Sequence, residues 1–141
     1  MIKVKYETLS NDKFTQALLK LAQAKLTLKA ALAIDNMIEE VNKARASITE
    51  SFKSEVMVKF ADLNEDGTVK FGTDGDFNIT EDKRDAYIAA MEAFGKTEME
   101  LPINKLPVMW VSNAEGLSAV DALALRIFID MESPEKHLHL V

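Results

Sequence analysis

From Leu28 to Lys59 the chain contains neither Gly nor Pro, and Ile34, Ile38, Val41, Ile48 and Phe52 recur at steps of 4, 3, 7 and 4. That spacing is the apolar seam of one amphipathic helix. At ~1.5 Å per residue the helix would be about 45 Å long. This is more than a domain of 141 residues needs, so the helix has to lie against another helix as a hairpin or against another subunit. Arg45 stands in the seam between Val41 and Ile48, where an apolar residue belongs. Either its stem snorkels along the seam, which is the simpler reading, or its guanidinium marks a polar contact across an oligomer interface.

The flanking segments supply partners for such a helix. Ile2, Val4 and Tyr6 alternate with Lys3, Lys5 and Glu7, the two-residue period of a half-buried strand. Ser10 and Asn11 are capping residues ahead of Phe14, Leu18 and Leu21, which predicts a helix over 11–24 and a new start near Leu28 behind Thr27. Residues 61–79 carry three of the five glycines and read as an acidic hinge with a hairpin, Val69 and Phe71 forming one arm and Phe77 and Ile79 the other, joined through Asp74-Gly75. Thr80 caps a helix bearing Tyr87, Ile88, Met91 and Phe94 and ending at Gly95. Residues 97–104 form a second strand. Pro102 and Pro107 bracket a stretch that can be extended but is poorly suited to the centre of a sheet, and Leu106 to Val111 form an apolar extended segment that contains Val108 and Trp110. A last helix begins at Ser118, with Asp121 three residues on. Val120, Leu123, Ile127 and Met131 make one face, while Leu125, Phe128 and Ile129 cover much of the rest, so this helix is buried in the core or under a partner. Pro134 closes it, and 132–141 is a flexible tail.

Composition narrows the function classes. With no Cys, Cys-ligated zinc, iron–sulfur clusters, thiol nucleophiles and disulfides are excluded. The opening MIKVKYETL lacks a signal h-region, and no apolar run approaches the ~20 residues of a bilayer span, so a cytoplasmic protein is expected. The net charge of −6 conceals an asymmetry: 1–60 carry ten Lys/Arg against seven Asp/Glu, and 61–141 carry seven against sixteen. Nucleic acid is disfavoured as a partner, because backbone binding needs clustered cations. Head-to-tail self-association, or a basic protein partner, is left open.

Three motifs bear on chemistry. Asp62, Asn64, Asp66, Gly67 and Val69 match the first half of an EF-hand loop, but Lys70 and Thr73 fall where a ligand and the closing bidentate carboxylate belong. An acidic Asx-turn loop is the simpler account, and a weak calcium site at Asp62, Asn64 and Asp66 is the alternative. His137 and His139 would point the same way on a strand, but two ligands on a tail do not make a selective metal site. The methionines read as core filler. Trp110, the only tryptophan, either closes the core or, if exposed, is the best interaction hot spot in the chain. No nucleophile elbow, HExxH or phosphate loop is present, so an enzyme would need an unrecognised site.

The order of MIKVKYETL, KLTLKAALAIDNMIEEV, NEDGTVKF, FNITEDKRDAYIAAMEAF, MELPINKL and GLSAVDALALRIFI resembles small uncharacterised phage and prophage proteins. These belong to a domain-of-unknown-function group that pairs a long helix with an acidic DxxG hinge and a short terminal helix. The resemblance covers most of 1–131 and implies a viral origin, acting in the host cytoplasm or the virion, with no reaction and no catalytic residue. Two departures are Thr27, where such proteins often have Pro, and the KHLHLV tail.

The expectation is therefore a single mainly helical α+β domain, with a long helical hairpin and two further helices on a small antiparallel sheet of 2–8 and 97–104. Its function would be non-catalytic and cofactor-free. It would bind protein, whether a second copy, a virion component or a host factor, through Arg45, Phe52, Val108 and Trp110.

Overall fold

A computed structural model describes residues 1–73, 75–112 and 114–131. The fold is mainly helical α+β, with a long helix, several shorter ones and a small antiparallel sheet. Strand β1 (Ile2–Lys5) pairs with β2 (Glu98–Leu101) in the register Ile2↔Leu101 and Val4↔Met99, so Ile2, Val4 and Leu101 face the core. Both strands are shorter than expected. After Lys5, the Tyr6 N–H donates a last bond to Thr97 O (2.9 Å), and the chain coils into α1 (Tyr6–Leu9), which drives Leu9 into the core. At the other end Pro102 has no N–H to donate, so β2 stops at Leu101.

Helix α2 (Asp12–Gln23) starts where the Asn11 side chain accepts the Lys13 N–H at 2.8 Å. Its Phe14, Ala17, Leu18 and Leu21 are buried. Helix α3 (Leu28–Phe52) starts where the Thr27 side chain accepts the Ala30 N–H at 3.3 Å, and it buries Ile34, Met37, Val41, Ala44 and Ile48. The two form the expected hairpin. Helical backbone continues to Phe60, through a π turn over Lys53–Met57 and the short α4 (Val58–Phe60). The reason lies in the spacing of Ile48, Phe52, Val56 and Phe60. Four-residue steps drift about 40° each from a helix of ~3.6 residues per turn. The wider π turn takes up that drift, and Val56 arrives in the interior at 3% exposure.

Residues 61–79 fold as two successive hairpins. Gly67 N–H donates to Asn64 O (3.0 Å) and Asn64 N–H to Thr68 O (2.7 Å); Gly75 N–H donates to Gly72 O (3.0 Å) and Gly72 N–H to Asp76 O (2.7 Å). Each is a three-residue loop ending in a left-handed glycine, Gly67 at φ +85° and Gly75 at φ +84°. The three arms close on one another through the bridges Leu63↔Val69, Phe71↔Phe77 and Ala61↔Ile79. Of the expected joint, Asp74 lies outside the described residues. Thr80 does not cap a backbone N–H; its hydroxyl bonds Asp82, and a 3-10 turn (Glu81–Lys83) precedes α5 (Arg84–Gly95). Gly95 serves close approach and is not a left-handed cap: a Cβ there would meet the Glu7 side chain at 3.3 Å.

The remainder corrects the expectation at several points. The extended stretch closes as β3 (Leu106–Pro107) and the one-turn helix α6 (Val108–Val111), so Val108 and Trp110 are helical. The last helix is cut short: α7 (Ala119–Leu125) gives way to a 3-10 turn (Arg126–Phe128) and to β4 (Ile129–Asp130), parallel to β3. Tightening the helix there places Phe128 fully inside and frees Ile129 to pair with Leu106. Nor are all the methionines filler. Met37 is buried, whereas Met91, Met109 and Met131 are exposed, because they fall on faces that no other element covers. Pro134, His137, His139 and the tail 132–141 lie outside the described residues.

The core centres on α2. Phe14 stacks on Phe128 with ring centroids 5.0 Å apart and planes at 24°, and the Arg45 guanidinium lies over Phe14 at 5.9 Å. Asp121, the one buried charged residue among those described, ties α7 to α2. Its Oδ2 accepts the Ser118 N–H at 2.9 Å and the Lys20 ammonium at 3.0 Å, and its own N–H donates to Ser118 Oγ at 3.2 Å.

Phe14→Ala should destabilise the fold by about 3–5 kcal/mol, the usual cost of emptying a buried aromatic site, measured by urea unfolding. Asp121 yields a pH test. The Ser118 N–H, and then the Lys20 ammonium, hold its carboxyl below the usual carboxylate range. Its contribution is therefore complete above ~3.9, the unfolded value, and disappears as pH falls through the depressed folded value. Asp121→Asn should lower the melting temperature by a constant amount near neutrality, and the gap from the parent should close in acid.

Candidate interaction surface

Helix α7 and the 3-10 turn that follows it present two faces. Asp121, Leu125 and Phe128 are buried on one, against α2. Val120, Leu123, Ala124 and Ile127, spaced i, i+3, i+4 and i+7, form the wall of a groove between α7 and the start of α2. Val120 is 51% and Leu123 69% exposed. The groove encloses about 970 Å³, with Phe14 at its base. Lys13, Lys105 and Arg126 stand on its rim with a single carboxylate, Glu7. It continues past Glu7, Thr8 and Ile127 into a further 360 Å³ beside Lys3 and Lys5, whose cross-strand neighbours are Glu100 and Glu98. The combination is an apolar floor under a cationic rim, suited to a segment that is apolar at its centre and acidic at its edges.

The residues singled out from sequence lie elsewhere. Arg45 is engaged within the chain: Nε donates to Leu9 O at 2.8 Å and the guanidinium also donates to Thr15 Oγ1. It thereby satisfies the carbonyl that ends α1 and binds α3 to both short helices. Burial pushes its pKa down from the ordinary arginine value. Phe52 is half-buried in a run of six rings. Tyr6 meets Phe94 at 5.0 Å, Phe94 meets Phe52 at 5.8 Å, Phe52 meets Phe77 at 6.2 Å, and Tyr87 joins Phe77 (6.1 Å) to Phe60 (6.0 Å). This seam fixes the hairpins and α5 to the end of the long helix. Phe52 also lines a smaller apolar groove of about 460 Å³ with Tyr6, Ile48, Met91 and Phe94. Trp110 packs against the core and carries the Lys29 ammonium 5.0 Å above its ring, while Val108 is half-buried beside it. The geometry therefore brings Arg45 and Phe52 onto one helix but does not join them to Val108 and Trp110 in one patch.

The half EF-hand is a hairpin tip. Asp66 Oδ1 accepts from the Thr68 N–H (3.1 Å) and hydroxyl (2.6 Å), which hold its carboxyl below the usual range. Asn64 Nδ2 donates to Thr68 Oγ1 (3.0 Å) and Val69 O (3.5 Å). Two of the three candidate ligands thus make the turn's own bonds. Among the described residues no group of three His, Cys, Asp or Glu side chains converges as a metal site. His137 and His139 are outside that set. The groove wall could have been found from the stripe 120/123/124/127, but its cationic rim could not, because Lys13, Lys105 and Arg126 are far apart in sequence.

Two measurements follow from this geometry. Arg45→Met should cost about 1.5–3 kcal/mol, as expected for losing hydrogen bonds from a charged donor, and should leave the oligomeric state unchanged; a change of oligomer would place Arg45 at an interface instead. Gly67→Ala should cost about 1–2 kcal/mol from the left-handed backbone alone, seen by thermal melting. No family model matches the chain, and neither a curated protein nor a solved structure matches it.

Proposed function

We propose that the protein is a non-catalytic protein–protein interaction module of the phage type that its element order resembles, working in the host cytoplasm or the virion. The observation that carries this reading is the second face of α7. Val120 and Leu123 are large apolar side chains held in the open by a helix that is anchored through its buried Asp121 and Leu125. Exposed apolar surface of this kind, rimmed by charge, marks contact sites for other proteins. The partner has an acidic, apolar-centred segment, matching the rim of Lys13, Lys105 and Arg126. A polyphosphate partner fits less well, since the apolar wall of the groove offers a phosphate backbone nothing to bind. No helix among the described residues is long and apolar enough to cross a membrane.

Peptides selected from a display library on the intact protein should carry Asp or Glu around an aromatic or leucine. Leu123→Glu, a change on an exposed position that leaves the melting temperature intact, should weaken the selected peptides by about 30-fold or more, as expected for a central contact. Peptides that bind the variant as tightly as the parent would overturn the reading. A gene position among tail or capsid genes supports an assembly role, and one among early genes a host-factor role.

A further inference from the structure

We infer that the chain associates head to tail with further copies of itself, the paired hairpins of one copy seating Phe71 in the basic-rimmed groove of the next. The inference rests on the reading of that groove as a protein-binding surface and names its occupant.

The hairpins have the chemistry the groove asks for. Leu63, Val69, Phe71 and Phe77 share one face, because Leu63 bridges Val69, Phe71 bridges Phe77, and 69 and 71 are two apart on one arm. Phe77 uses that face inward, on Phe52 and Tyr87. Phe71, directly across the ladder from Phe77, nevertheless stays 55% exposed, and Leu63, on the outer arm, 45%. Around them 61–79 carry five carboxylates and one Lys, and Glu65, Asp66 and Asp76 are on the exposed part. An exposed aromatic side chain on an acidic segment thus stands as a knob on one surface of the chain. A socket with an apolar wall of Val120, Leu123 and Ile127 beside Lys13, Lys105 and Arg126 lies on another.

The charge division of the sequence takes on a physical role here. Since knob and socket are different surfaces, the contact is heterologous: each copy offers one unused knob and one unused socket, and growth continues until a ring closes or a filament forms. The ion pairs at the rim are solvent-exposed, so they steer and orient the contact while the ring in the groove supplies its strength.

The test uses two variants of the full chain, Phe71→Ala and Leu123→Glu, both at exposed positions, with unchanged melting curves as the control for folding. Light scattering of the parent over about two decades of concentration should show mass rising beyond a dimer, with salt slowing the association more than it weakens it. Each variant alone should remain a monomer, having lost knob or socket, with association weakened by about 30-fold or more. Mixed, they should give a 1:1 heterodimer and nothing larger, because the Leu123→Glu knob fits the Phe71→Ala socket and both remaining ends are disabled. A parent that is monomeric throughout, a Phe71→Ala variant that assembles like the parent, or a mixture that stays monomeric would overturn the inference. If the parent is monomeric while display-selected acidic peptides still lose affinity on Leu123→Glu, the groove reading stands and only its occupant is wrong. If the peptides are also indifferent to Leu123→Glu, both fall.

Discussion

Phe14 is the point on which the rest of the structure turns. Its ring is covered on one side by Phe128 from the turn after α7 and on another by the Arg45 guanidinium from α3. Three segments far apart in sequence therefore meet on one side chain of α2. Arg45 extends the junction by taking Leu9 O and Thr15 Oγ1, so the end of α1 and the start of α2 are held against the long helix by the cation that also covers the ring. The Lys20–Asp121 pair secures the other end of α2 to α7. Asp121 is stable at its buried position because the Ser118 N–H and the Lys20 ammonium replace the water its carboxylate loses, the condition under which a buried carboxylate is tolerated.

Beyond this interlock the packing changes character. The elements around α2 share one buried core, whereas α5 has no fully buried residue and depends on the run of rings from Tyr6 to Phe60. Few buried apolar contacts and two hairpins tied by single bridges define the part of a protein that opens first. The division of stability matches a division of role. The acidic knob belongs to the lightly packed arm, where local adjustment is inexpensive. The groove is framed by the rigid interlock, which holds Val120 and Leu123 in place without covering them.

What was legible in the sequence was whatever one helix or one strand decides by itself. The long helix, its start at Thr27, the Asn11 and Ser118 caps, and the pairing of the first strand with the one before Pro102 all follow from periodicity, capping chemistry and the missing proline N–H. The last helix was harder, because Val120, Leu123, Leu125 and Phe128 are equally apolar and only the position of α2 determines which of them are covered. The π turn was implicit in the four-residue steps from Ile48 to Phe60, but it becomes visible only when a core exists for Val56 to reach.

Sequence by itself determined the long helix and its hairpin partner, the first strand pair, the Asn11, Thr27 and Ser118 caps and the uneven charge, since each depends on neighbours within a few residues or on one apolar period. Tertiary structure alone decided that Arg45 is an internal tie, that Trp110 is packed under Lys29, and that Lys13, Lys105 and Arg126 surround one groove. The physical reason is that burial and convergence are properties of pairs of elements. A side chain's role changes with the surface placed opposite it, and that surface is supplied by residues tens of positions away.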